Sequence, residues 1–314
     1  MSTYLITGGA GFIGSNLARH VLDRGHDVTV LDNLATGRRE NLDEIADRMT
    51  FIEGDIRNAD DVARSLDGCA AVFHQAALGS VPRSIENPTA SHDANVNGTL
   101  NVLETCKAAG VKRVVFAASS SVYGNTVESP KHEQMAPAPI SPYAAGKIAC
   151  EQYLRAYAAS YGMETLCLRY FNVFGPRQDP AGAYAAVIPA WVSCLLRGEQ
   201  PVVYGDGEQS RDFCYIDNVC EANWLAAHAP AEVCNGQALN IACNRRTSLN
   251  EILALLQELL GTTVEAVYKD KRPGDVKHSL AAIDAAREVI DYEPSVYFEE
   301  GLRKAIDWYR DNLG

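Results

Sequence analysis

Three residues near the middle of the chain could together remove a proton from a hydroxyl group. Tyr143 and Lys147 are four positions apart, so on a helix they would lie on one face, one turn from each other. A free tyrosine is a poor base at neutral pH, but a nearby ammonium group stabilises its phenolate form. Ser119 ends an apolar run, the position where an open α/β sheet exposes catalytic groups. This set predicts acid–base chemistry with Tyr143 as the base, although Tyr143 and Lys147 alone would be an ordinary pair on a helix surface.

A glycine-rich turn near the start of the chain predicts which kind of ligand binds beside this base. Residues 7–14 read TGGAGFIG and connect an apolar run to an amphipathic stretch. Gly8 would allow the tight turn, Gly11 would let the backbone approach a pyrophosphate, and Gly14 would permit close packing of helix on strand. The amino end of the following helix favours the anionic group. The motif therefore predicts a dinucleotide site.

Asp32 indicates which of the two nicotinamide dinucleotides, NAD or NADP, would bind. It ends the second apolar run, eighteen residues past Gly14. A carboxylate there would accept hydrogen bonds from the ribose hydroxyls of adenosine and repel a 2′-phosphate, so NAD is the predicted cofactor. Arg38 and Arg39 follow in a loop and leave NADP open as an alternative.

The elements that must position these groups are predicted by periodicity. Apolar runs such as TYLIT, DVTVLD, MTFIEGD and AAVFHQAA alternate with amphipathic stretches, and each run is followed by a predicted helix. This alternation is typical of a doubly wound parallel sheet, so the predicted fold class is α/β of the Rossmann type. The helix that carries Tyr143 and Lys147 is predicted from Pro142 to about Tyr161, with Ser141 as its cap.

The second half of the chain is predicted to form a smaller lobe. A sixth strand is predicted over residues 165–175, and a loop from Gly175 to about Tyr184 marks the boundary. We predict a NAD-binding domain at 1–172, with a return of the chain near 214–243, and a C-terminal α/β substrate lobe at 173–314. Its predicted elements are a helix near 188–197, strands near Val202, Phe213, Leu239 and Val264, a helix after Asp217, a helix with a capping box at Ser248 and Glu251, and two final helices.

Composition excludes several classes of function. The net charge is −12 over 314 residues, which argues against a nucleic-acid or anionic-membrane surface. Nine cysteines form no CxxC pair and lie mostly in apolar stretches, so buried reduced thiols are predicted. The seven histidines show no ligand spacing, and no metal is expected. Without room for a signal peptide before the first strand, or an apolar run of about 20 residues, a cytoplasmic protein is expected.

Taken together, these motifs resemble the extended short-chain dehydrogenase/reductase family over essentially the whole chain, and within it the UDP-sugar 4-epimerases. The resemblance is carried by TGGAGFIG, DNL after the second strand, GDIRN at 54–58, NVNGT at 95–99, SSSVYG at 119–124, SPYAAGK at 141–147, LRYFNVFGPRQDP at 168–180, GDGEQSRDFCYI at 205–216 and RPGD at 272–275.

The resemblance implies a set of ligand contacts. For NAD they are Gly8, Gly11, Phe12, Ile13, Gly14, Asp32, Asn33, Asp55, Ile56, Gln75, Ala76, Ala77, Tyr143, Lys147 and Phe171. For the UDP-sugar they are Gly79, Ser80, Ser119, Ser120, Tyr143, Asn172, Ala186, Val187, Tyr204, Arg211, Arg272, Asp275 and Ser279. Ala94 stands at a position, just before NVNGT, where the resemblance implies a polar residue that touches the cofactor. The resemblance also implies a homodimer through the helices near 95–109 and 143–160.

The implied reaction is inversion of a sugar at C4. Tyr143 would take the C4 hydroxyl proton with the help of Ser119, the hydride would pass to the nicotinamide, and the 4-ketose would turn and receive it on its other face. Related dehydratases and decarboxylases carry an acidic residue just after the strand-end serine or threonine, whereas Ser120 and Ser121 stand here. A non-catalytic NAD-binding protein would be expected to have lost the catalytic residues.

The identity of the sugar is predicted from two segments. AALGSVPRS at 76–84 and HSLAA at 278–282 resemble the subgroup that acts on UDP-N-acetylglucosamine and its galacto epimer. Ser279 stands where strict UDP-glucose and UDP-galactose enzymes carry a tyrosine, and Ala186 is similarly small; UDP-glucose and UDP-galactose remain further candidate substrates. The alternatives are that Ser279 is only a small residue in a tight turn, and that a uronic acid pairs with Arg83 or Arg177.

Overall fold

A parallel sheet of seven strands forms the centre of the molecule. The computed structural model describes residues 1–179, 186–270 and 277–313. The strands of the sheet are β1 Thr3–Thr7, β2 Asp27–Asp32, β3 Thr50–Glu53, β4 Cys69–His74, β5 Arg113–Ser119, β6 Glu164–Tyr170 and β11 Asn235–Ile241. Their order is β3-β2-β1-β4-β5-β6-β11, and each neighbouring pair is parallel. The order changes direction between β1 and β4, where open α/β sheets bind ligands, and the predicted Rossmann-type fold is confirmed.

Helices cover both faces of this sheet, and helices and short strands together form the second half of the chain. They are α1 Phe12–Asp23, α2 Ala59–Ser65, α3 Val81–Glu86, α4 Pro88–His92, α5 Gly98–Ala109, α6 Pro142–Tyr161, α7 Val187–Leu196, α8 Ile216–His228, α9 Leu249–Leu260, α10 Asp284–Ile290 and α11 Phe298–Leu313. The short strands are β7 Val173–Phe174, β8 Val202–Tyr204, β9 Ser210–Arg211, β10 Cys214–Tyr215, β12 Thr247–Ser248 and β13 Val267–Lys269.

Helix caps occur where the sequence predicts them. The side chain of Ser141 accepts a hydrogen bond from the backbone N–H of Ala144 and starts α6. Ser248 and Glu251 form the predicted capping box of α9. Gly110 ends α5 in the left-handed conformation.

Several predicted elements differ from the structure. The sixth strand ends at Tyr170, not near 175, because Asn172 has a positive φ of 32° and turns the chain into the separate strand β7. The helix predicted after β2 is a 3₁₀ helix at Arg39–Ile45. The helix predicted after β4 is divided into α3, α4, a π-helical turn at Asp93–Asn97, and α5, with prolines at the starts of α3 and α4. The strand predicted near Val264 lies at Val267–Lys269.

The chain returns to the sheet after it has begun the second half. Helix α8 packs against α1, and β11 pairs with β6. One apolar cluster fills the sheet face beneath α1 and α8 and continues into α7, α9 and α11. A second cluster fills the other face beneath α2, α5 and α6. The boundary at residue 172 stays a prediction, as does the homodimer.

The cysteines agree with the expectation of buried reduced thiols. All nine are free, and seven of them are buried. Burial raises the pKa of Cys106 to about 12, which keeps its thiol protonated. Within the three described ranges, no helix is long and apolar enough to cross a membrane, and no cluster of His, Cys, Asp or Glu could hold a metal ion.

Candidate active site

Ser119, Tyr143 and Lys147 are positioned by β5 and the start of α6. Ser119 ends β5, and Tyr143 lies in the first turn of α6. The backbone N–H of Tyr143 donates to Oγ of the buried Ser84, at 3.1 Å, so α3 holds the start of α6 in place. Lys147 is buried, and its Nζ donates to the carbonyl oxygen of Ala117 at 2.6 Å. Its Nζ lies 5.8 Å from the centre of the Tyr143 ring, so the two side chains share one face of α6.

His74, which belongs to none of the sequence motifs, lies buried near this lysine. Its two ring nitrogens contact the hydroxyls of Thr7 at 2.7 Å and Thr99 at 2.9 Å. Burial and the charge of Lys147 lower the pKa of His74 to about 3, so its imidazole is neutral at physiological pH. The position of the histidine at the end of an apolar run was the only signal in the sequence. Because it is neutral, it adds no cation that would compete with Lys147.

The glycine-rich turn forms a cradle that larger residues would fill. Gly8 has a φ of +71°, and a Cβ there would meet backbone atoms of Ala76 at 2.6 Å. A Cβ on Gly14 would lie 2.3 Å from the carbonyl oxygen of Gly8. Gly11 directly precedes α1, so the amino end of the helix opens onto the turn. These features fit the pyrophosphate of a dinucleotide.

Asp32 lies at the end of β2 beside this cradle. Its two carboxylate oxygens accept the backbone N–H groups of Ala10 at 2.9 Å and Leu34 at 2.8 Å. Burial raises the pKa of Asp32, and these two hydrogen bonds oppose the shift. An ionised carboxylate has about four acceptor positions, so hydrogen bonds from ribose hydroxyls remain compatible with both contacts.

The residues around Asp32 also fit NAD better than NADP. Arg38 donates to Asp179 at 2.8 Å, and the guanidinium of Arg39 lies 3.7 Å from the centre of the Phe51 ring. Both arginines therefore have partners other than a 2′-phosphate. Asn33 donates to Asp55 at 2.8 Å. Hydrogen bonds from Arg57 hold the pKa of Asp55 well below its usual range, so this predicted cofactor contact is ionised.

The other predicted cofactor contacts follow three different strands, β1, β3 and β4. Gln75, Ala76 and Ala77 follow β4 and are half-buried, as are Phe12 and Ile13 in the first turn of α1, while Ile56 is buried. Gln75 is held by two residues that the sequence analysis missed: Asn223 accepts from its side-chain N–H at 3.0 Å, and the hydroxyl of Tyr170 donates to its oxygen at 3.1 Å.

Phe171 is a further predicted cofactor contact, at the end of β6. Its side chain has no exposed surface, and its ring lies 6.1 Å from that of Tyr123 in the core. Its backbone N–H still bonds the carbonyl of Ile241 beside the sheet. The predicted contact of Phe171 with NAD stays a prediction.

The predicted substrate contacts occupy several separate segments. Gly79 and Ser80 precede α3, Ser120 follows β5, Ala186 and Val187 begin α7, and the side chain of Asn172 donates to the carbonyl of Asp212 at 3.0 Å. Tyr204 ends β8 and lines an open cavity of about 700 Å³ together with Tyr268, Lys269 and Asp270. Ser119, Tyr143 and Lys147 do not line this cavity. Arg272 and Asp275 lie outside the described residues.

Arg211 and Ser279 are brought together although they are far apart in the chain. The backbone N–H of Ser279 donates to the carbonyl of Ser210 at 3.0 Å. The guanidinium of Arg211 donates to the carbonyls of Ser210 at 3.0 Å and Lys277 at 3.3 Å. The half-buried Ser279 thus lies on a segment that runs beside Arg211, another predicted contact of the UDP-sugar.

Comparison with known proteins identifies the family. Residues 4–242 match the model of the NAD dependent epimerase/dehydratase family. The structure of UDP-N-acetylglucosamine 4-epimerase from Methanobrevibacter ruminantium M1, in complex with UDP-N-acetylmuramic acid, is 40% identical with a TM-score of 0.93, covering 99% of this chain and 98% of that chain. The UDP-glucose 4-epimerase of Thermotoga maritima with UDP-glucose is 38% identical with a TM-score of 0.93, covering 99% of this chain and 100% of that chain.

A third relative is named for another sugar. The UDP-glucuronate 4-epimerase of Thermodesulfobacterium geofontis is 34% identical over 325 residues, covering 100% of this chain and 98% of that protein. The three relatives are all named as 4-epimerases of UDP-sugars, but their sugars differ. The predicted family is confirmed, and so is NAD, which the description of the family names. With its glycine cradle, Asp32 and the Ser119, Tyr143 and Lys147 group, this chain belongs to the NAD dependent epimerase/dehydratase family.

Proposed function

We propose that this protein is a NAD-dependent UDP-sugar 4-epimerase whose preferred sugar is an N-acetylhexosamine. The family and the three 4-epimerases support the reaction class. The observation that carries the choice of sugar is the small side chain of Ser279, on the segment beside Arg211. A small residue there leaves room for the N-acetyl group at C2 when the sugar turns over.

The chain's own residues supply the proton chemistry. Tyr143, as a phenolate, takes the proton of the C4 hydroxyl, and Ser119 hydrogen-bonds the same oxygen. Lys147, held by the carbonyl of Ala117, stabilises the phenolate. Bound NAD would accept the hydride from C4 and return it. After the 4-ketose has turned about its diphosphate linkage, Tyr143 returns the proton.

The alternative reactions find less support among the residues present. A dehydratase or decarboxylase needs an acid or base to drive the 4-ketose onward, whereas Ser120 and Ser121 follow Ser119. For a uronic acid, Arg177 was one candidate partner of the C6 carboxylate. Its guanidinium donates instead to Asn16 in α1, the helix that follows the glycine turn. Arg83, which is exposed on α3, is the candidate that remains.

The proposal is tested by incubating the purified protein with UDP-N-acetylglucosamine, UDP-glucose and UDP-glucuronate and separating the products. We expect the highest kcat/KM with UDP-N-acetylglucosamine. Denatured protein should release NAD in near-stoichiometric amount, and turnover should form no free NADH, because an epimerase consumes no net reductant. Accumulating NADH would contradict the reaction class, released NADP would contradict the role of Asp32, and a preference for UDP-glucuronate would contradict the sugar.

Arg211→Ala should weaken UDP binding by at least about tenfold. The reason is the loss of a charge-assisted hydrogen bond to the diphosphate, on a scale of about 1.5 to 3 kcal/mol. Titration calorimetry with UDP gives the Kd. Arg197→Ala is the matched control, because this half-exposed arginine pairs with Glu199 at the end of α7, and its Kd should equal that of the wild type. An unchanged Kd in Arg211→Ala would show that Arg211 does not bind the diphosphate.

Ser279→Tyr should lose UDP-N-acetylglucosamine activity selectively. The ring would fill the space that the N-acetyl group needs, whereas UDP-glucose, with only a hydroxyl at C2, should react as before or better. The measurement is the ratio of kcat/KM for the two sugars. Ser279→Ala is the control and should keep the ratio of the wild type. An unchanged ratio in Ser279→Tyr would mean that residue 279 does not border the C2 substituent, and equal losses on both sugars would mean general damage to the site.

A further inference from the structure

A buried polar network, called the hub below, lies between α6 and the sheet. It consists of Glu151, Arg169, Tyr123 and Asn240. Arg169 donates through Nε and Nη2 to the two carboxylate oxygens of Glu151, at 2.9 and 2.7 Å. The two side chains are only 5% and 4% exposed. Burial opposes the charge on Arg169, but the hydrogen bonds to Glu151 raise its pKa above the usual range, so the pair is ionic.

Tyr123 and Asn240 extend this ion pair across the molecule. Arg169 donates through Nη1 to the hydroxyl of Tyr123 at 2.9 Å, and that hydroxyl donates to the side-chain oxygen of Asn240 at 2.6 Å. Tyr123 and Asn240 are both fully buried. The side-chain N–H groups of Asn240 donate to the carbonyls of Lys131 at 3.0 Å and Ala282 at 3.1 Å.

Each end of the hub is attached to a different part of the candidate site. Glu151 follows Lys147 by one turn of α6, so it shares the helix that carries the proposed base. Tyr123 ends the 3₁₀ turn that begins directly after Ser119. At the other end of the hub, Asn240 binds the carbonyl of Ala282, the last residue of the segment 279–282. The first residue of this segment is Ser279, which lies beside Arg211.

The fold does not require charges at this place. Strands β5, β6 and β11 are already joined by backbone hydrogen bonds, and apolar side chains of similar size often replace a buried ion pair without loss of stability. A connected polar network instead imposes one geometry, because a shift of any member leaves a buried group without its partner.

We infer that Arg169, Tyr123 and Asn240 are positioning residues that hold the Ser119, Tyr143 and Lys147 group in register with the substrate segment 279–282. This inference rests on the proposed function. Its consequence is specific: loss of the hub should misplace the sugar C4 relative to Tyr143, while Arg211 continues to hold the UDP moiety within the substrate lobe.

Tyr123→Phe tests this with the removal of one oxygen atom. The ion pair of Arg169 and Glu151 remains, but Arg169 loses an acceptor and Asn240 loses a donor. We expect kcat with UDP-N-acetylglucosamine to fall about tenfold, the scale of one unmade buried hydrogen bond. The Kd of UDP and the NAD content should stay within about twofold of the wild type.

Tyr4→Phe is the matched control. Tyr4 is also buried, its hydroxyl contacts His228 at 3.0 Å, and it lies in β1 near the amino ends of the strands, opposite the candidate site. Its kcat should be that of the wild type. Arg169→Lys, which keeps the charge but not the planar fork, should repeat the pattern of Tyr123→Phe.

Three results would overturn the inference. The first is an unchanged kcat in Tyr123→Phe. The second is a fall of kcat in Tyr123→Phe that is matched by equal falls of UDP affinity and NAD content. The third is an equal loss of kcat in Tyr4→Phe at the same loss of Tm. The last two would make the hub a matter of stability alone. Failure of the proposed function would be visible separately, as a wild-type protein that epimerises none of the three sugars, and would remove both proposals.

Discussion

Tyr143→Phe should lower turnover by about two to four orders of magnitude, because Tyr143 is the proposed base that removes the C4 proton. The aromatic ring stays, and the backbone hydrogen bond to Ser84 does not depend on the hydroxyl. The fold, the Kd of UDP and the NAD content should therefore remain close to those of the wild type. The measurement is kcat with UDP-N-acetylglucosamine, alongside calorimetry with UDP and release of NAD on denaturation.

The same substitution at the end of the same helix is the control. Tyr161 is 56% exposed at the last position of α6, so Tyr161→Phe should leave kcat unchanged. Near-normal turnover in Tyr143→Phe would end its assignment as the base. A comparable loss in Tyr161→Phe would show that the effect comes from α6 as a whole.

Arg169→Met should lower the free energy of unfolding by about 3 to 5 kcal/mol. The carboxylate of Glu151 would stay buried without its cation, and the hydroxyl of Tyr123 would lose a charged donor. The change is measured by urea denaturation. Arg303→Met is the control, because Arg303 pairs with Glu258 and Glu299 on the surface, where solvent screens such pairs and their loss changes stability little.

A double variant separates stability from positioning at the same place. Arg169→Met combined with Glu151→Leu removes both charges, so much of the lost stability should return. Its kcat should stay low, because the hub is absent. Equal stability losses in Arg169→Met and Arg303→Met would contradict the burial argument. Full recovery of kcat in the double variant would contradict the positioning role.

Much of the cofactor side of the site can be predicted from the sequence alone. The glycine turn, the cap at Ser141 and the four-residue spacing from Tyr143 to Lys147 depend on backbone conformations and contacts within a few positions. The alternation of apolar runs and helices then determines a parallel sheet, and parallel strands present their carboxyl ends at one edge. Ser119 and Asp32 are therefore placed at that edge before any tertiary contact is known.

The substrate side and the supports of the site depend on contacts between distant segments. The ring of Phe171 packs beside that of Tyr123 in the core, although the two residues are far apart in the chain. His74 meets Thr7 and Thr99 only after three separate elements pack together.

The same reason applies to Ser279 and to the hub. Ser279 lies beside Ser210 across 69 positions of the chain, and Tyr123 meets Asn240 across 117. The sequence by itself determined most of the local elements and the candidate catalytic residues, because neighbouring residues set caps, turns and periodicity. Only the tertiary structure decided which polar groups pair in the interior, because a buried donor must find its acceptor wherever the packed chain brings one.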